Sequence, residues 1–321
     1  MIATISKLRE PMAEAALVFL ESLDADGRRA TLYPLARERH RDWHYTPRDG
    51  RPGLPLKRMN AEQRSLVFAL LASALSEEGL RKTRAIIKLE GILGELTGRP
   101  DFRDPENYAL AIFGDPAGKA PWAWRFEGHH VSLTFTIAPG LGIAVTPAFF
   151  GANPAEVPAG HEHAGLRVLA VKQDLALALL HDLSSAQQQT AILQPQSFRD
   201  FLTGPGREDS LREPQGLALA AMTTGQRDQT LTLIEAYARN MRADLAEQEL
   251  RAVVEAGPEK LHFAWAGAME RGTCHYYRLH GPTMLVEYDN TEPNHTHTVW
   301  HNPRDSFGED LLRRHHETAH G

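Results

Sequence analysis

One cysteine, Cys274, is all the thiol this chain of 321 residues carries, so it can form neither an internal disulfide nor a multi-cysteine metal site. Nowhere do about 18 apolar residues run together, which excludes a membrane-spanning helix. The opening segment, Met1 to Leu23, has Lys7, Arg9, Glu10 and Glu14 among its apolar residues, and its uncharged run Ala15 to Leu20 is too short for a secretory core. It reads as an amphipathic helix, and the cytoplasm is the expected location. Charge of neither sign dominates: the net charge is −6, acids and bases are interleaved, and no basic stripe invites a nucleic acid. A glycine-rich phosphate loop, a nucleophile elbow and a nicotinamide fingerprint are all missing. Any metal must therefore rely on His, Asp or Glu.

What is present is an ordinary globular composition, 42% hydrophobic and 24% charged, long enough to bury a sizeable core. The first third, about residues 1–100, reads helical. Asn60-Ala-Glu-Gln63 has the form of a capping box ahead of Leu66, Val67, Leu70, Leu71 and Leu75 at helical spacing, with Gly79 ending that helix and Leu80 to Leu96 forming the next. From Asn107 the period becomes two: Tyr108 to Phe113, Trp122 to Phe126 and His129 to Ile137 read as strands. Gly140 to Gly165 reads as a loop. Lys172 to Leu183 and Thr224 to Met241 read as helices, followed by strands at Leu261 to Trp265, Cys274 to Leu279 and Thr283 to Asp289 and a last helix from Ser306. No repeat is apparent. Strands joined by short turns, with helices at both ends, predict an α+β fold with a mainly antiparallel sheet, in one large domain over 1–321.

Histidine placement is the unusual feature, because six of the sixteen lie from His295 onward: His295, His297, His301, His315, His316 and His320. On an extended chain His295 and His297 face the same side, so their imidazoles can converge on one ion; the bland alternative is a solvated loop after Pro293. A second constellation is Glu127-Gly128-His129-His130 at a turn opening a strand. On a regular strand His130 shares the polar face of Ser132, Thr134 and Thr136, which makes it the expected ligand, with His129 held in the core or behind the ligands. Glu127 and Asp289 are the candidate general bases. His315 is a further candidate ligand, although a helix C-terminus favours cations for its own reasons. His161-Glu-His163 and the pair His40 and His44 read as exposed side chains, and Cys274 as a small buried one.

Taken together, Trp43-His-Tyr-Thr-Pro47, Trp122-Ala-Trp-Arg-Phe-Glu-Gly-His-His130, Gly151-Ala-Asn-Pro154, Tyr276-Tyr-Arg-Leu-His-Gly-Pro282, Asn294-His-Thr-His-Thr-Val-Trp300, Phe307-Gly-Glu-Asp310 and His315 resemble the Domain of Unknown Function 3500 family. Both the Gly-His-His turn and the Asn-His-X-His segment belong to that pattern, and the resemblance implies that they form one site. The chain departs from it at His301-Asn302, where Arg-Asp is usual, and at Ser306, where an acid is usual. The resemblance implies no reaction.

Three neutral imidazoles with an open position suit zinc, with copper, iron or manganese as alternatives. The expected activity is metal-dependent hydrolysis of a small molecule. A non-haem iron or copper oxidoreductase and a non-catalytic metal carrier are the competing readings, and the surplus of histidines near the C-terminus favours the carrier.

Overall fold

The computed structural model describes residues 2–198 and 200–320. It is a mixed helix and sheet protein with a large, mainly antiparallel sheet, and its chain forms two compact units. One runs to Ala148 and includes Met241–Leu245 and the segment from Arg304; the other holds Phe149–Asn240 and Ala246–Pro303.

In the first unit α1 (Ile2–Glu21), α2 (Ala25–Thr31), β1 (Leu32–Tyr33), α3 (Arg37–Arg41), β2 (Leu54–Pro55), α4 (Ala61–Ala72) and α5 (Glu77–Thr97) precede an antiparallel run of β3 (Ala109–Phe113), β4 (Trp122–Gly128), β5 (Val131–Ala138) and β6 (Gly142–Ala144). The capping box at Asn60 and Gln63 is present. Gly79 does not end a helix; it lies in the first turn of α5, where its amide caps onto Ser76. Every residue of β3, β4 and β5 is buried. Their apolar face, with Trp124 stacked on Phe135 and Phe126 facing Phe68 of α4, forms the core. Burying rings of this size supplies much of the driving force. The polar face, carrying Arg125, Glu127, Ser132 and Thr134, is covered by the loop 34–53.

The second unit begins with most of β7 (Ala148–Ala152), then α6 (Ala170–Asp182), α7 (Ser185–Ala191), β8 (Ile192–Gln194), β9 (Leu217–Ala218), α8 (Thr224–Ala238) and α9 (Ala243–Ala256). β10 (His262–Gly267), β11 (His275–His280), β12 (Leu285–Glu292) and β13 (His295–His301) follow, and α10 (Glu309–His320) returns to the first unit. Two strands, β6 and β7, lie inside the stretch 140–165 that reads as a loop from its prolines and glycines.

The two units repeat one plan, which corrects the expectation of no repeat. Gly53-Leu-Pro-Leu-Lys-Arg-Met59 ahead of a capped helix returns as Gly216-Leu-Ala-Leu-Ala-Ala-Met222 ahead of the Thr223 and Gln226 capping box. Both glycines have positive φ, and a Cβ at Gly53 or Gly216 would strike the backbone of Leu110 or Phe263. In both units a two-residue strand pairs antiparallel with the next long strand, Leu54 with Leu110 and Leu217 with Phe263. Another short strand pairs parallel with it, Ile112 taking Leu32 and Trp265 taking Ile192. A buried arginine occupies the same register: Arg125 opposite Ala111 and Thr134, Arg278 opposite Ala264 and Glu287. The repeat is hidden in the sequence because it is carried by glycines, caps and a few buried polar residues, and because loops of unequal length destroy any fixed period.

His40 is buried in the first unit between Phe113 and Phe307, with its Nε2 3.2 Å from the Thr136 hydroxyl. Burial, then the positive charges of Arg125 and Arg41, push its pKa down from 6.5 to about 3. Folding therefore excludes the imidazole proton. The stabilisation is complete above about pH 6.5 and drains away as pH falls toward 3. Denaturant titrations between pH 7 and 4 should show that His40→Gln removes part of the acid-side loss of stability; an unchanged pH slope would contradict this.

Candidate metal centre

His130 does not sit on a strand. With His129 it forms the two-residue turn between Gly128 and Val131, which are paired across β4 and β5. The expected strand therefore starts two residues too early, and the face argument that selects His130 does not hold, although the residue does belong to the site. His130 has φ +64°, a left-handed conformation that few bulky side chains adopt. Its amide donates to the Tyr45 carbonyl at 2.9 Å. Gly128 is required beside it, since a Cβ there would lie 2.1 Å from the Tyr108 ring. The Tyr108 hydroxyl donates to the His129 carbonyl at 2.7 Å and secures the turn.

His129 is engaged elsewhere. Its Nδ1 donates to Glu90 of α5, whose carboxylate also lies 3.9 Å from Arg103, and its ring stacks on that of His130 with centroids 3.7 Å apart. It supports His130 from the side.

His295 and His297 lie on β13, a paired strand and not a solvated loop, with ring centroids 4.5 Å apart and planes at 81°. His297 is buried between Phe149 and Phe201, and its Nδ1 is 3.1 Å from Asp200 Oδ1. His295 is half-buried, with Glu292 at 3.8 Å. One ligand atom from each of His130, His295 and His297 lies within 4.8 Å of the other two. Metal–nitrogen bonds of about 2.0–2.1 Å place ligand nitrogens up to about 4.2 Å apart. The group could bind a metal, and its all-nitrogen donors suit zinc, copper or iron equally.

The repeated plan bears on why one group of this kind is found among the described residues. In the second unit the turn equivalent to Gly128–Val131 is Gly281-Pro-Thr-Met284, which has Thr283 in place of His130. In the first unit the β5–β6 hairpin sets Ala144 opposite Thr136, where β12–β13 sets His297 opposite Asp289. Ala144 and Ala138 pack instead against Leu311 of α10. That helix carries His315, half-buried and outside the histidine group. The side chain of His320 falls outside the described residues.

The two proposed bases are both committed to other partners. Glu127 is buried and accepts from Arg51 at 2.8 Å, the His44 amide at 2.8 Å and Ser132 at 3.2 Å, with Arg125 Nε at 3.2 Å. Asp289 is buried and accepts from Ser197 at 3.2 Å. His301 donates to the Thr203 carbonyl at 3.0 Å, so it is a fastening of the loop 195–216 and not spare metal-binding capacity. His161 and His163 contact one another in their loop and do not join the group. Asp200, which touches His297, carries no sequence signal: it is one polar residue in a long loop; Tyr45, which touches His130, lies within the Trp43-His-Tyr-Thr-Pro47 motif, although nothing in that motif points to the contact.

Fold and site together define a mixed helix and sheet protein with a three-histidine candidate metal centre. The chain belongs to the DUF3500 family, described as proteins of unknown function, whose model matches residues 6–309. His315 lies beyond the matched residues. No curated protein and no solved structure matches the chain.

Metal titration of single variants checks the assignment. His130→Ala, His295→Ala and His297→Ala should each lower affinity by orders of magnitude, His129→Ala by about 10- to 100-fold as an outer partner, and His315→Ala not at all. A loss at His315 equal to that at His297 would overturn it. Glu127→Gln should destabilise the fold by about 3–5 kcal/mol, since it strips a buried partner from Arg51 and Arg125; a variant with wild-type stability would refute the structural role given to Glu127.

Proposed function

We propose that the protein is a metal-dependent hydrolase of a small-molecule substrate, with a divalent transition ion, zinc foremost, held by His130, His295 and His297. The observation that carries this reading is the donor count. Structural zinc sites are closed by four protein ligands, whereas catalytic ones use three and leave a position for water or substrate. Bound there, the metal would supply a Lewis acid and a water acidified to near pH 7.

The chain's own residues do the rest. His130 and His297 are buried and His295 is half-buried. Asp200 meets the His297 ring at Nδ1, and the Tyr45 carbonyl holds the backbone of His130. With Glu127 and Asp289 committed to structural partners, neither is a ready base, and the open metal position itself is the better candidate for generating the nucleophile. Among the described residues the group includes no carboxylate, which argues against a two-histidine, one-carboxylate iron oxygenase. The carrier reading is weakened because the surplus of C-terminal histidines is dispersed: His301 fastens a loop and His315 lies on α10.

Zinc-loaded protein assayed against a panel of activated esters, amides and phosphoesters should hydrolyse at least one class, and chelation or His297→Ala should abolish the activity. A fully loaded protein inert toward all three, whose natively bound ion is copper with a visible absorption band, would sink the hydrolase reading in favour of redox chemistry.

A further inference from the structure

The loop 195–216 of the second unit is fastened more tightly than its glycines and prolines suggest. Buried Glu287 on β12 accepts the amides of Leu202 at 2.7 Å and Thr203 at 2.9 Å, the Thr203 hydroxyl, and the Tyr276 hydroxyl at 2.6 Å. His301 holds the Thr203 carbonyl, and Ser197 reaches Asp289. Between these fastenings stands Asp200, with its Oδ1 3.1 Å from His297 Nδ1 and also accepting the Phe201 amide at 2.9 Å. Phe201, the next residue, packs edge-on against the His297 ring.

A neutral imidazole has one N–H and one lone pair. A carboxylate at Nδ1 draws the proton there and leaves the Nε2 lone pair for the metal, while fixing the ring plane and raising the basicity of the coordinating nitrogen. Asp289, directly opposite His297 across β12 and β13, accepts from Ser197, and Asp200 Oδ1 stands at His297 Nδ1. We propose that Asp200 is the positioning residue for His297, setting its tautomer and orientation for metal binding. The proposal rests on the metal-centre reading above and deepens it: the ligand strand is aligned by a loop residue that no motif marks.

The experiment is a zinc titration of the full chain against a competing chromophoric chelator, for wild type, Asp200→Ala and Asp200→Asn, with thermal unfolding of the metal-free proteins and imidazole proton NMR alongside. Affinity should fall about 100-fold in Asp200→Ala and about 10-fold in Asp200→Asn, which keeps an acceptor oxygen but not the charge. The metal-free unfolding temperatures should stay close to wild type, and the His297 Nδ1–H resonance should be lost in Asp200→Ala. If Asp200→Ala fails to fold, Asp200→Asn carries the comparison. Wild-type zinc affinity in whichever variant folds overturns the proposal alone. Failure of the wild-type protein to bind zinc overturns the metal reading, and this proposal with it.

Discussion

Two buried carboxylates, Glu127 and Glu287, hold this architecture together. Each lies within a fully buried stretch of strand, where an unpaired charge would be prohibitive, and each is neutralised or hydrogen-bonded by a loop folded over the strand face. Glu127 binds the His44 amide and Arg51, and the carbonyl of the next residue, Tyr45, receives the His130 amide. Glu287 binds Leu202 and Thr203, and two residues back Asp200 meets His297. The groups that meet His130 and His297 thus come from irregular loops, yet those loops are tied to the sheet through charges that cannot be released cheaply.

Repetition of one plan explains why the chain has this form and why one histidine group is found among the described residues. A glycine with positive φ, a short pairing strand, a capped helical hairpin and an antiparallel run of strands occur twice. The three histidines of the group occupy complementary positions in the plan: the turn histidine stands in the first unit, the strand histidines in the second. Where the first unit lacks histidines, Leu311 of α10 packs against Ala138 and Ala144. A feature expected to supply metal ligands, the C-terminal helix, thereby has a packing role.

Much of this was legible in the sequence. The capping boxes at Asn60 and Thr223, the period-two runs and the His-X-His spacing each report a local physical requirement, and they located helices, strands and two of the three histidines of the group. His130 was also named, but from a strand face it does not occupy; the sequence cannot show that a histidine will accept the left-handed φ of a tight turn. Glu127 and Asp289 looked available because ionisable residues near histidines suggest proton chemistry, whereas their burial makes them structural anchors. The repeat and the contacts of Asp200 and Tyr45 depend on meetings between distant segments, and no local pattern announces those; Tyr45 lies in a family motif, but the motif does not show what its carbonyl meets.

The central claim, that three imidazoles share one ion, is tested most directly by X-ray absorption at the metal edge of the zinc-loaded protein. The account predicts three histidine-type scatterers at about 2.0–2.1 Å with one further light atom completing the shell, and loss of one histidine contribution in His130→Ala. A shell with two histidines or fewer in the wild type, or one unchanged by His130→Ala, would contradict it.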